Sequence, residues 1–371
     1  MEAQLTAMRG ELVGFAYRML GSPSEAEDAA QETLLRAWKH GDDYDPARAS
    51  LRTWVYRIAT NVCLDMLRSA RRRARAVDFA STAAPGGDLG APLPESTWVL
   101  PVLDRSLAVP AQVDRAHADR AHADRAHADR AHTDRTYAYA DPTYAYADPT
   151  YAYADPTYAD PADIAVRRET IRLAFVAALQ HLPPRQRAVL ILRDVLCWPA
   201  GEVAALLETT VPSVTSALQR ARASLRRADL PPPSPLSDAA KRDLVERYAD
   251  AFHRDDVAAL VALLQEDVIN SMPPFTWWIQ GRDTVAKVMA ASDGSCHGAR
   301  LVPELANGGL ALWQERPTGP GGEFEPFALL LFEFGESLIS SVTTFLGFRP
   351  PTPHEFPPPT GARQPDVTEQ G

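Results

Sequence analysis

Cysteine is scarce in this chain: three residues in 371, Cys63, Cys197 and Cys296, far apart and without metal-type spacing. That argues against a disulfide framework and against a zinc site, and it fits a reducing compartment. Long apolar runs are lacking too. No window has the length and flanks of a signal peptide or a membrane span. A soluble protein of the cytoplasm is expected, with no membrane partner, no metal and no cofactor. Positive charge is in deficit, 38 Lys and Arg against 48 Asp and Glu, for a net charge of −10. A uniformly basic surface is excluded, although net charge says nothing about how charge is distributed.

The distribution is uneven. Between Arg48 and Arg75 stand eight arginines against one acid, Asp65, and "TTVPSVTSALQRARASLRR" (209–227) carries four arginines and no acid. Two basic stretches thus stand on an acidic background. The length predicts two or three domains, and 46% hydrophobic residues suffice to bury their cores.

Residues 5–75 read as helices. Ser24 with Glu27 three positions on predicts a capping box before "AAQETLLRAWKH", and Ser50 opens a second helix. There Leu51, Val55, Ile58, Val62 and Met66 fall at spacings of three and four, giving one buried face. Arg52, Arg57 and Asn61 are expected to point elsewhere.

From about residue 77 to 161 the pattern gives way to Gly, Pro and repeats: a five-residue period in "DRAHADRAHADRAHADRAHTDRT" and a seven-residue one in "TYAYADPTYAYADP". A five-residue step advances about 140° on a helix, so His117, His122, His127 and His132 scatter around it and form no stripe. The recurrent proline breaks any coiled coil. The stretch reads as a disordered linker.

Order is expected again over 162–229. A helix pair flanks Pro183 and Pro184, a short helix follows in "PAGEVAALL", and a long helix is capped by Thr210 with Pro212 in its first turn. Val214, Leu218, Ala221 and Leu225 supply its apolar stripe, leaving Ser213, Thr215, Ser216, Gln219, Arg220 and Arg222 on the other side. A short helix, a tight turn and a long polar and basic helix make a helix-turn-helix, whose second helix enters the major groove. There Arg pairs with guanine, Gln with adenine, and Ser or Thr with base edges or phosphate. The competing reading is an amphipathic helix with a solvated arginine face. In the first basic stretch Trp54, Tyr56, Arg57, Asn61, Arg68, Arg71, Arg72, Arg73 and Arg75 combine rings with guanidinium groups, a chemistry suited to unpaired bases. Trp54 and Tyr56 fit equally as core residues of a small bundle.

The segments "GSPSEAEDAAQETLLRAWKH", "ASLRTWVYRIATNVCLDMLRSARRR" and "LQHLPPRQRAVLILRDVLCWPAGEVAALL…SVTSALQRARASL" resemble the two helical domains of a bacterial RNA polymerase sigma factor of the extracytoplasmic-function group. The later stretch "LVERYADAFHRDDVAALVALLQEDVINSMPPFTWWIQGRD" resembles the SnoaL-like, cone-shaped α+β domain appended to a subset of that group. The resemblance implies that Asp28, Gln31, Glu32, Arg36 and Trp38 dock on core RNA polymerase. It implies that Arg57, Asn61, Arg68, Arg71, Arg72 and Arg73 capture and melt the minus-10 element. Ser213, Thr215, Ser216, Gln219, Arg220 and Arg222 would read the minus-35 element. One departure stands out: Glu208 occupies a turn position where the family usually has glycine at positive φ.

The expected fold is multidomain: a helical domain (1–76), the repeat linker (77–161), a helix-turn-helix domain (162–229), a Pro-rich linker (230–237), an α+β domain (238–350) and an extended tail (351–371). In the α+β domain, Trp277 and Trp278 are expected to line a pocket or an interface. His253, Asp255, Asp256, Asp267 and His297 are the available acids and bases, with no readable spacing. The implied function is promoter recognition and DNA melting for core RNA polymerase, with the last domain regulating and with an anti-sigma factor or a small-molecule ligand as a further partner. The alternative is a DNA-tethered isomerase or cyclase regulated by its helical part.

Overall fold

The computed structural model describes residues 1–69, 73–84, 87–107, 170–228, 232–291, 298–318 and 323–349. The histidine and tyrosine repeats, His297 and the tail from residue 350 lie outside the described residues.

The N-terminal module comprises α1 (Glu2–Ala7), α2 (Arg9–Leu20), α3 (Pro23–Lys39) and α4 (Leu51–Ser69). Leu12, Phe15, Met19, Leu34, Val55 and Val62 are buried between these helices, and Phe15 meets Tyr56 edge to face at 5.4 Å. Ser50 opens α4 as expected, its Oγ accepting from the Thr53 amide at 3.1 Å. The cap of α3 differs from expectation: Ser22, not Ser24, accepts from the Glu25 amide at 3.4 Å. Pro23 is the cause, since its fixed φ and missing N–H suit the first helical position and place the cap immediately before it.

The second helical module holds α5 (Leu173–Leu179), α6 (Pro184–Leu190), a π-helical turn (Ile191–Val195), α7 (Ala200–Leu206) and α8 (Val211–Arg227). Thr210 caps α8 by accepting from the Ser213 amide at 3.3 Å, and Val214, Leu218, Ala221 and Leu225 are its buried stripe. Glu208 takes φ 52°, the left-handed conformation a glycine would supply, and the Thr209 amide closes on the Ala204 carbonyl at 2.9 Å. The turn therefore closes as a glycine turn does.

The C-terminal module packs α9 (Asp238–His253), α10 (Val257–Ala262) and α11 (Arg282–Ala290) against a six-stranded sheet of order β2-β1-β6-β5-β4-β3. Its strands are β1 (Leu264–Ser271), β2 (Trp278–Gln280), β3 (Arg300–Ala306), β4 (Gly309–Pro317), β5 (Phe324–Phe334) and β6 (Ile339–Leu346). The β1–β6 pair is parallel and the other pairs antiparallel. Central β5 is buried on both faces. Ala328, Leu330 and Phe332 join the core under the helices, while Leu329 and Leu331 join the core shared with the helical modules.

The stretch expected as loose linker is a correction over its first part. Residues 73–84 and 87–107 run between the modules and bury Trp98, Val99, Val102 and Leu103. The Leu100 amide donates to the Gly21 carbonyl at 2.9 Å, and the Ala83 and Leu93 amides donate to Trp278 and Pro274 carbonyls, each at 2.8 Å. The apolar run "TWVLPVL" supplies the burial that orders this segment, although its Gly- and Pro-rich surroundings read as linker.

Candidate nucleic-acid interface

On α3, Ala26, Ala30, Thr33, Leu34 and Ala37 face inward. The opposite face presents Asp28, Gln31, Arg36 and Trp38 to solvent, with Glu32 half-buried and bonded to Arg36 at 2.7 Å. Trp38 is 64% exposed, and Leu35, three residues before it on the helix, is also exposed. A large solvent-facing aromatic among charges is the composition of a protein-binding surface, where Trp is a favoured anchor.

On α4, Arg57 and Asn61 are exposed and one turn apart, hence on one face. Arg68 is exposed near the helix end and pairs with Asp65 at 3.1 Å. Arg71 and Arg72 lie outside the described residues. Arg73 does not join this surface. Its guanidinium is buried, paired with the Glu25 carboxylate and donating to the Glu95 and Trp98 carbonyls at 3.0 Å each. With those acceptors taking its N–H groups, Arg73 holds the 95–98 segment onto the N-terminal module and cannot serve as the solvent-facing DNA contact expected of it. Tyr56 is fully buried, and Trp54 is half-buried with its ring 5.4 Å from Tyr44, so both act as packing residues.

On α8, Ser213, Thr215, Ser216, Gln219 and Arg220 are exposed together on the side opposite the buried stripe. Arg222 departs from this set: half-buried, it forms a two-pronged pair with Asp194 of the π-helical turn, Nε to Oδ2 at 2.9 Å and Nη2 to Oδ1 at 2.7 Å. Planar Arg–carboxylate geometry of this kind fixes position as well as charge. Arg222 therefore clamps α8 onto its own domain.

Helix α4 and the second helical module are not independent. Trp198, fully buried, lies 5.1 Å from the Tyr56 ring, and the Arg52 guanidinium sits 5.3 Å from the Trp198 ring while bonding Glu11 at 3.1 and 3.2 Å. Arg52, expected to point away from the core, is thus part of the seam. Arg57 of the first module pairs with Glu208 of the second.

A second junction is built on Asn307, in the β3–β4 turn at φ 53°. Its Oδ1 accepts from the Val102 amide at 3.0 Å, its Nδ2 donates to Tyr17 Oη and to the Ile171 carbonyl at 2.7 Å each, and its own amide donates to the Val102 carbonyl at 2.9 Å. Tyr17 in turn donates to the Leu100 carbonyl at 2.8 Å, and burial pushes its phenol well above the ordinary range, so it stays neutral. One buried amide side chain thereby ties the C-terminal module to α2, the ordered linker segment and the start of the second module. Sequence reasoning missed Asn307; the "ANGG" turn was its only local signal.

The two tryptophans, expected together at a pocket or an interface, are placed differently. Trp277 is buried in the C-terminal core, and Trp278 donates from Nε1 to the Ala80 carbonyl at 2.7 Å. A cavity of about 380 Å³ lies elsewhere, lined by Leu20, Glu25, Leu67, Gln180, Pro184 and Arg187 among others. Of the candidate acids and bases, His253 and Asp256 make structural hydrogen bonds. His253 Nε2 accepts from the Leu301 amide at 3.0 Å, Asp256 caps α10 through the Ala259 amide at 2.9 Å, Asp255 occupies a turn at φ 53°, and Asp267 is exposed. Among the described residues no cluster suits a metal ion, and no helix is long and apolar enough to cross a membrane.

Known proteins resemble this chain in sequence and in fold. Residues 5–73 match the Sigma-70 region 2 model and residues 172–225 the Sigma-70 region 4 model. The ECF RNA polymerase sigma factor SigG of Mycobacterium tuberculosis is 36% identical over 347 residues, covering 91% of this chain and 79% of that protein. SigJ of the same organism is 26% identical over 269 residues, 72% of this chain and 62% of that protein. The crystal structure of SigJ has the same fold at a TM-score of 0.53 and 20% identity, spanning 93% of this chain and 96% of that one.

Proposed function

Because the chain belongs to the extracytoplasmic-function RNA polymerase sigma factors, which direct core RNA polymerase to promoter DNA, we propose the following division of labour among its surfaces. The exposed face of α3, centred on Trp38 with Asp28, Gln31, Glu32 and Arg36, docks on the polymerase. Arg57, Asn61 and Arg68 on α4, with Arg71 and Arg72 beyond it, engage the minus-10 element as it opens. Ser213, Thr215, Ser216, Gln219 and Arg220 on α8 read the minus-35 element. The units 1–76, 162–229 and 238–350 carry these tasks and the regulation, in the compartment that holds the polymerase.

The C-terminal module serves as an attached regulator without an enzymatic role of its own. The observation that carries this is Asn307, whose bonds join both helical modules and the segment between them. A domain that binds one arrangement of the helical modules better than another shifts their populations by that difference. The structural roles of His253 and Asp256 support the same reading, since neither is held ready for proton transfer.

Run-off transcription by purified core polymerase, with and without the protein, tests the whole. Promoter-dependent transcript is expected only when the protein is present. Truncation after Asp229 is expected to change transcript yield strongly while leaving promoter preference unaltered. Equal yields across polymerase concentrations would remove the regulatory role, and turnover of a small substrate by the full chain would favour the enzyme reading.

A further inference from the structure

Among the described residues of 170–228, Val211 is the one large apolar side chain left exposed, at 44%, although Val214 one turn on is fully buried. It is the first residue of α8, at the end of a recognition helix that contacts base edges. One turn further, Thr215 donates its hydroxyl to the Val211 carbonyl at 3.1 Å. That bond commits its proton to the helix and leaves a methyl group and lone pairs as its remaining chemistry. Side chains four apart share a face, and Cβ atoms tilt toward the helix start, so Thr215 lies over the turn that Val211 begins.

We infer that Val211, with the Thr215 methyl beside it, reads the C5-methyl of a thymine in the minus-35 element. The thymine methyl is the apolar group a base edge presents in the major groove, whereas phosphates and the other base edges offer charge or hydrogen bonds. A β-branched apolar residue matches the first and none of the rest. The polar neighbours Ser213, Ser216, Gln219 and Arg220 remain for hydrogen-bonded readout around it. Specificity at this base step then comes from shape and burial, and Thr215 contributes there through its methyl group. The inference rests on reading α8 as the minus-35 helix.

The test uses holoenzyme made from core polymerase and the full chain, on a promoter selected from templates randomised upstream. Each upstream thymine is replaced in turn by deoxyuridine, which deletes the methyl group and leaves the pairing intact. Replacement at one position is expected to lower promoter binding about fourfold, the value of one buried methyl group. Val211→Ala is expected to abolish that penalty while the protein keeps its thermal unfolding midpoint, since the side chain is exposed. The inference is overturned if no thymine is sensitive, or if the penalty persists undiminished in Val211→Ala. Arg220→Ala run alongside separates the two failures. Relaxed selection by Arg220→Ala with no deoxyuridine effect rejects the methyl contact alone, whereas unchanged selection by both rejects α8 as the reader.

Discussion

The carboxylate of Glu208, held at φ 52° in the turn before α8, pairs with the guanidinium of Arg57 on α4. On the proposed division of labour, a residue of the turn before α8 thereby occupies a cation proposed to engage the minus-10 element, and the pair competes with that engagement. Both side chains are substantially exposed, so the pair is worth roughly 0–1 kcal/mol. Glu208→Gln keeps the backbone conformation and removes the charge. Transcription at limiting polymerase is expected to rise, by at most about fivefold, with the gain shrinking as salt screens the wild-type pair. A gain that is absent at low salt, or that grows with salt, contradicts this role.

Two arginines two residues apart on α8 should fail differently. Arg220 is exposed, and Arg220→Ala is expected to lose roughly 1–3 kcal/mol of base discrimination with little change in unfolding. Arg222 is clamped to Asp194 by a two-pronged, partly exposed pair, and Arg222→Ala is expected to lower stability by about 0.5–1.5 kcal/mol. Binding selections paired with urea unfolding read the two effects apart. Matching defects in both assays would erase the distinction.

The same contrast holds at the end of α4. Arg73→Ala strands a carboxylate and two carbonyls in a mostly buried site, and a loss on the order of 3–5 kcal/mol is expected in thermal or urea unfolding. Arg57→Ala with Asn61→Ala, both at exposed positions, is expected to leave the fold intact and to weaken strand opening. Permanganate reactivity of promoter thymines reads the opening, and unchanged reactivity in the double variant would sink the assignment.

These contrasts mark what a sequence can carry. The stripe Val214, Leu218, Ala221 and Leu225 and the Thr210 cap follow from local periodicity and capping preference, and the structure has both, whereas the left-handed turn at Glu208 forms against that residue's own backbone preference. Arg73 and Arg222 look like their exposed neighbours in the sequence. What separates them is the approach of Glu25 and Asp194 from other helices, a tertiary fact without local signature. Trp98 and Val102 were hidden for another reason: a short apolar run inside Gly- and Pro-rich sequence has no period to reveal it, and its burial depends on both modules being present.

Alkaline pH probes the N-terminal core. Burial pushes the Cys63 thiol up to about 12, from an ordinary value near 9. A raised acid contributes stability that is fully present below the unfolded value and is lost as pH rises from about 9 toward 12. Stability is therefore expected to fall above pH 9, with Tyr17 adding to the fall above about 10. Cys63→Ala should flatten the first part of the decline by up to about 1.4 kcal/mol per pH unit. Superimposable urea-unfolding profiles for variant and wild type between pH 8 and 10 would refute the coupling.

The Asn307 junction gives the sharpest test of how the C-terminal module acts. Asn307→Gly preserves the left-handed turn, which glycine adopts without strain, and deletes the groups that meet Val102, Tyr17 and Ile171. Left buried, those three partners would cost about 1–3 kcal/mol each; separation of the modules lets water satisfy them instead. The variant should therefore favour an opened arrangement without unfolding any module. Small-angle scattering is expected to give a larger radius of gyration, and run-off yield at limiting polymerase should rise several-fold with promoter preference unchanged. Restoring a side chain as Asn307→Asp should not restore closure, because a carboxylate in place of the amide nitrogen presents an acceptor to the Ile171 carbonyl where a donor is required. If Asn307→Gly matches wild type in both size and yield, the C-terminal module does not set the balance through this residue.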